Sequence, residues 1–350
     1  MTISTLAALR AHVQTAITIE WSTIPPYLCA RWSLLDGHNA TAASCIDDVV
    51  MEEMLHLTLA CNLLNAIGGD PQLIPPGASP PSYPTFLPHS DDAFTVNLLP
   101  FSPHALETFR LIERPAAVGA APEPDRYHTI AQFYEAIGAA LDRVAADQDI
   151  FSKDHSRQVE SPYYYGGGGE AFAVTDLESA QKALEVIVFE GEGLGDSIWD
   201  GDDELLGESR ELAHYFRFDE LYRGRRYIDG DRPSTGPTGA PLLVDYEAVH
   251  PMRPNPRSTH YPRGSDLRAL SEACDATYST LLGQLQAAFT GAPDTLVTSV
   301  QTMLTLRLQA IALMQVPVGN GQTAGPAFAW HPDAQARSVS ARSSTGPGNT

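Results

Sequence analysis

Two Glu-x-x-His tetrads stand far apart in this chain, Glu53-Met54-Leu55-His56 and Glu211-Leu212-Ala213-His214. On a helix, residues three apart share a face, so each tetrad can aim a carboxylate and an imidazole at the same point. Two such tetrads, with one Glu from each of two further helices, form the donor set of a dinuclear metal bundle. Glu20 and Glu192 are the candidates for those two carboxylates. Four carboxylates and two imidazoles suit iron, or alternatively manganese, and leave positions open for dioxygen or peroxide. No Cys stands among the six, which argues against structural zinc. Four carboxylates converging in a core without a cation would be costly, so the pattern points to metal rather than coincidence.

The elements that must position these residues are helices. Residues 4 to about 24 carry an apolar stripe of Leu6, Leu9, Val13, Ile17 and Ile24, with Glu20 in its middle. Pro25-Pro26 should then disturb the helix, with a shorter piece continuing to Leu34. Residues 41–67 form a second helix whose stripe includes Val49, Glu53, His56 and Leu64, and Gly68-Gly69 ends it. A proline-rich crossover follows, holding one short helix with Ser102 as N-cap and Pro103 in the first turn. Further helices are expected over 129–146, from a Thr175/Glu178 capping box to Glu192, and over 203–221 with Gly207, Glu211, His214 and Phe218 on one face. Near Glu192, Glu185 and Glu190 remain open alternatives by spacing alone. Glu52 lacks the three-residue spacing to His56. Two more helices, 265–289 and 294–315, carry no tetrad. The second should bury Leu296, Val300, Met303, Leu304, Leu308 and Ile311. Tyr27, Trp21 and Tyr215 read as core aromatics, and His12 as structural. The Arg223-Gly224-Arg225-Arg226 run reads as a solvated loop paired with acidic surface.

Acidic residues outnumber basic ones by 43 to 22, for a net charge of −21. That balance disfavours nucleic acid or an anionic membrane as partner. The four cysteines form no Cys-x-x-Cys pair and read as reduced thiols of a cytoplasmic protein. There is no signal-peptide pattern, and no uninterrupted apolar run of bilayer-spanning length.

Several motifs, in order, resemble one family. They are Ile19-Glu20-Trp21-Ser22-Thr23-Ile24-Pro25-Pro26-Tyr27-Leu28, Glu52-Glu53-Met54-Leu55-His56-Leu57 and Asn62-Leu63-Leu64-Asn65-Ala66-Ile67-Gly68-Gly69. Glu190-Gly191-Glu192-Gly193, His214-Tyr215-Phe216-Arg217-Phe218, Val244-Asp245-Tyr246 and Thr323-Ala324-Gly325-Pro326 continue the series. Over about residues 5–330 the chain is similar to the ferritin-like domain of iminophenyl-pyruvate dimer synthases of the violacein-pathway type, and to its stand-alone relatives. The resemblance implies Glu192 as the third-helix ligand, in a Gly-Glu-Gly frame, with Glu190 where relatives often carry Gln.

The expectation is therefore an all-α, ferritin-like four-helix bundle over residues 1–332. Insertions fall at about 71–128 and 222–262, two helices are added at about 265–315, and 333–350 is a disordered tail. The leading function is a dinuclear non-haem iron oxidase or oxygenase of specialised metabolism. It would use two Fe ions held by Glu20, Glu53, His56, Glu192, Glu211 and His214, dioxygen, an electron donor and a small amino-acid-derived substrate, and could be a homo-oligomer. Imine-dimer synthase activity, a di-manganese catalase and an iron-storage protein are the alternatives.

Overall fold

Four long helices close into a ring because each buries a stripe against two neighbours. The computed structural model describes residues 2–74, 79–164, 167–193, 196–201 and 210–332. Its helices are α1 (Leu6–Ser33), α2 (Ala40–Ala66), α3 (Pro103–Ile112), α4 (Ile130–Asp147), α5 (Leu177–Glu192), α6 (His214–Arg223), α7 (Asp266–Phe289) and α8 (Thr295–Met314). α1 packs on α2, α2 on α5, α5 on α4, and α4 back on α1, which makes an all-α four-helix bundle. The short helices α3 and α6 pack on each other; α3 reaches α1, and α6 reaches α2 and α5. The α7–α8 hairpin lies against α1 and α2, followed by a small antiparallel pair, β1 (Pro317–Gly319) and β2 (Gln322–Thr323).

Local chemistry sets the helix ends. The side chains of Thr5, Ser102, Thr129 and Ser265 each accept a backbone N–H from the first turn of α1, α3, α4 and α7. α2 stops at Gly68, whose φ of 70° is the left-handed conformation that glycine adopts without strain; its N–H and that of Gly69 bond back to Asn65 and Leu64.

Several sequence expectations are corrected. α1 runs unbroken through Pro25 and Pro26. Pro26 has no N–H for the Ser22 carbonyl, but the buried Tyr83 hydroxyl donates to that oxygen at 2.8 Å, so the freed acceptor is satisfied. The α5 capping box is Asp176 with Ser179, not Thr175 with Glu178. α6 begins only at His214. Before it, Leu212 bridges Trp199, the Ala213 N–H donates to Ile198, and the Asp200 N–H donates to the Glu211 carbonyl, so this backbone is extended. Residues 203–209 of the expected helix, with Gly207, lie outside the described residues, as does the tail at 333–350.

α8 buries Ser299, Leu306, Ala310, Leu313 and Met314, while Leu304 and Leu308 are 49 % and 71 % exposed. Apolar residues lie all round this helix, so periodicity could not select its inner face. Among the described helices α8 alone is long and apolar enough on average to cross a bilayer, although Thr, Ser, Gln and Arg residues interrupt its apolar run. Helices of soluble cores meet that criterion too.

Candidate metal centre

Two overlapping groups of ligating atoms lie inside the bundle, Glu20–Glu53–His56 and Glu53–Glu113–His214. Within each, one atom per residue lies within 4.8 Å of the others, and every member is buried. α1 supplies Glu20, α2 supplies Glu53 and His56 from one face, α6 supplies His214 at its first turn, and Glu113 caps the end of α3. Glu53 belongs to both groups. Its Oε1 is 3.8 Å from His56 Nδ1 and 3.1 Å from His214 Nδ1. The two imidazoles stack with centroids 5.5 Å apart. Glu20 Oε2 lies 3.6 Å from His56 Nδ1, and Glu113 Oε2 lies 3.6 Å from His214 Nδ1.

The outer nitrogen of each ring is held by a second carboxylate. His56 Nε2 meets Glu190 Oε2 at 2.6 Å, and His214 Nε2 meets Glu52 Oε2 at 2.6 Å. Ligating histidines commonly donate the far N–H in this way, which fixes the tautomer and leaves the near nitrogen as a lone pair. Here both Nδ1 atoms face carboxylate oxygens. His214 Nδ1 is buried and makes no hydrogen bond despite its 3.1 Å approach. Lone pairs facing one another this closely repel unless protons or cations lie between them. The donor set of three carboxylates and two imidazoles, with two divalent ions as those cations, therefore fits.

Thr23 donates to Glu53 Oε2 at 2.6 Å, Tyr134 donates to Glu20, and Tyr27 donates to Glu113. Arg217 donates to Glu52 Oε1 at 2.8 Å. A cavity of about 20 Å³ is lined by Glu20, Glu53, His56, Glu113 and Glu192, among others. Its size suits a water-sized guest.

The predicted residues separate clearly. Glu20, Glu53, His56 and His214 come together. Glu192 borders the cavity, but its oxygens accept the backbone N–H groups of Ala116 and Ala131 at 2.7 and 2.8 Å. It thus ties the crossover and the first turn of α4 to the end of α5. Glu211 stands apart: its side chain is 56 % exposed and lies 3.4 Å from Arg217. Alternation in extended backbone, rather than helical stacking, separates it from His214. Glu113 takes a place that the tetrad pattern did not foresee. Glu52 and Glu190, set aside or left open by spacing, hold the two imidazoles. Of the aromatics, Tyr27 reaches Glu113, Trp21 stacks on Tyr278, and Tyr215 accepts from Arg110. Arg223 and Arg226 pair with Asp219 and Glu220.

A family model described as ferritin-like matches residues 13–223. The chain belongs to the ferritin-like family. The crystal structure of a ferritin-like protein from Caulobacter vibrioides has the same fold, with a TM-score of 0.64 and 20 % identity over 95 % of this chain and 100 % of that one. No curated protein matches the sequence.

In this ferritin-like chain, burial and neighbouring carboxylates shape the charges. Burial, with Glu113 and Glu20 nearby, pushes Glu53 up to about 7. Burial also pushes Glu192 up to about 8. Burial alone would raise Glu52, but Arg217 and His214 hold it down at about 2. Burial opposes charging of both histidines, yet Glu190 raises His56, and Glu113, Glu52 and Glu53 raise His214, each well above the ordinary imidazole range. The metal-free site thus gathers protons at the positions that two divalent cations would take.

Proposed function

We propose that this ferritin-like chain is a dinuclear non-haem iron oxidoreductase that uses dioxygen to oxidise a small, amino-acid-derived molecule. The single observation that carries the reading is Glu53 Oε1, set between the Nδ1 atoms of His56 and His214 at 3.8 and 3.1 Å. When bound, two iron ions would supply the electrons that reduce dioxygen. Glu20 with His56, and Glu113 with His214, would hold one ion each, with Glu53 shared between them. Glu190 and Glu52 keep the Nε2 protons, so both Nδ1 lone pairs stay turned inward. Thr23, Tyr134 and Tyr27 hold the three carboxylates by their hydroxyls, and apolar Ile112, Ile130, Ile187 and Val188 wall the cavity against bulk water. The likeness to imine-dimer synthases supports an amino-acid-derived substrate.

Anaerobic Fe(II) titration followed by oxygen exposure tests the proposal. Two irons per chain, a ferric pair in Mössbauer spectra and oxygen uptake are expected. Zero or one iron per chain, or full loading of a His56→Ala/His214→Ala double variant, would overturn it. A manganese catalase is the second reading, favoured by the small cavity, which suits peroxide better than an organic guest. Peroxide disproportionation by the manganese-loaded chain, with no organic substrate present, would decide for it.

A further inference from the structure

Away from the bundle centre, the crossover between α2 and α4 brings two residues against the first helix. We propose that His12, His89 and Asp125 form a second, mononuclear site for a divalent transition-metal ion such as Zn²⁺. Each offers one ligand atom, and the three lie within 4.8 Å of one another. His12 stands eight residues before Glu20, about 12 Å along α1, so the site is separate from the dinuclear one.

The state of His12 is the strongest sign of a ligand. The carbonyl of Ala8 lies 2.8 Å from its Nδ1 and can only accept, so Nδ1 carries the proton. Nε2 is then a bare lone pair, and it is buried with no hydrogen-bond partner. A ring pinned through one nitrogen by a backbone carbonyl, with the other left free, is the usual state of a ligating histidine. His89 Nδ1 and Asp125 Oδ1 are 3.0 Å apart, close to the spacing of about 3.3 Å between neighbouring ligands on a tetrahedral ion with bonds of about 2.0 Å.

The surroundings hold these groups in place. The Arg126 N–H donates to the His89 carbonyl at 2.6 Å, which joins the two crossover segments beside the ligands. Phe133 packs near both rings, 6.0 Å from His12 and 6.5 Å from His89 by centroids. Two imidazoles and a carboxylate form an N₂O set that suits Zn²⁺ and leaves an outer position for water. An exposed His–Asp pair alone would do little for the fold, whereas an ion also bound to His12 would fasten the crossover to α1.

The test uses the full chain and Zn²⁺ or Co²⁺ as probe. His89 and Asp125 are nearly half exposed, so His89→Ala and Asp125→Asn are expected to fold as the parent does. Calorimetry should show one Zn²⁺ equivalent fewer in either variant, or at least a tenfold weaker one. The His56→Ala/His214→Ala double variant should still show the visible absorption of bound Co²⁺ at this site, and added His89→Ala should abolish it. Fe(II) loading at the bundle should be unchanged by His89→Ala, which separates this proposal from the dinuclear one. Equal Zn²⁺ stoichiometry and affinity in the parent and both variants would overturn it.

Discussion

Replacing Glu113 by Gln removes one carboxylate charge from the cluster and nearly preserves volume, so it separates ligation from packing. Oxygens of Glu53 and Glu113 lie within 4.8 Å. At that distance two full charges repel by about 3 kcal/mol at an effective dielectric constant of about 20. The His214 imidazole is closer, 3.6 Å from Glu113 Oε2, and Glu113 raises it despite burial, so in the metal-free chain Gln also forfeits an attraction of about 5 kcal/mol. With about 1 kcal/mol for the weakened bond from Tyr27, the metal-free Glu113→Gln variant should be less stable than the parent by roughly 2–3 kcal/mol at pH 8. At pH 6, below the value of about 7 for Glu53, protonation has already relieved the repulsion and the loss should be larger. Metal binding should weaken as well. Losing even an outer partner of a metal site costs about 10–100-fold in affinity, so losing a ligand should weaken one Fe(II) site by at least about 100-fold, or about 2.7 kcal/mol. Glu211→Gln, at an exposed side chain, should change neither quantity beyond about 0.5 kcal/mol. Urea melts at both pH values and anaerobic Fe(II) calorimetry read these effects. Two ions at parental affinity in Glu113→Gln, with one lost in Glu211→Gln, would refute the assignment.

Other consequences can be checked similarly. Glu190→Ala should lower affinity at the His56 site by about 10–100-fold, while Glu190→Gln, which keeps an acceptor, should lose less; equal losses would argue against a tautomer-fixing role. Tyr83→Phe should cost about 1 kcal/mol in urea melts by leaving the Ser22 carbonyl without its donor, and an unchanged midpoint would show that water replaces the hydroxyl. Between about pH 4.5 and 8 the metal-free fold should weaken as pH rises. Glu53 and Glu192, raised to about 7 and about 8, bind protons in the folded chain that the unfolded chain has released, worth up to about 1.4 kcal/mol per group per pH unit. His56 and His214, despite burial, are raised and act in the same direction above about pH 6.5, since their stabilisation is lost as pH rises through the folded value. Divalent metal should reverse the trend because binding displaces those protons; melts that rise with pH without metal would contradict this.

The half of the candidate site on α1 and α2 was legible because Glu20, Glu53 and His56 interrupt apolar stripes at helical spacing. His214 was legible by type, but its partner was not. Gly207, Glu211, His214 and Phe218 repeat with a helical period, yet backbone pairing with residues 198–200 holds Glu211 in an extended segment. Periodicity has no access to that distant competition. Glu113 carried no tetrad and sat in a proline-rich stretch. One signal was present: Phe109, Ile112 and Glu113 share a helix face, so a carboxylate ends a buried stripe. The His12 cluster could not be read locally, because its members join across the crossover.

The split in the proposed ligand set also favours an order of assembly. Thr23 and Glu53, which fix the first half, are 30 residues apart, whereas His214 and Glu52 are separated by 162. Closing the longer loop costs about 1.5 kcal/mol more in chain entropy. A nascent chain that has emerged only through α2 already carries Glu20, Glu53 and His56. A first ion could therefore bind during synthesis, with the second waiting for α3 and α6 to dock.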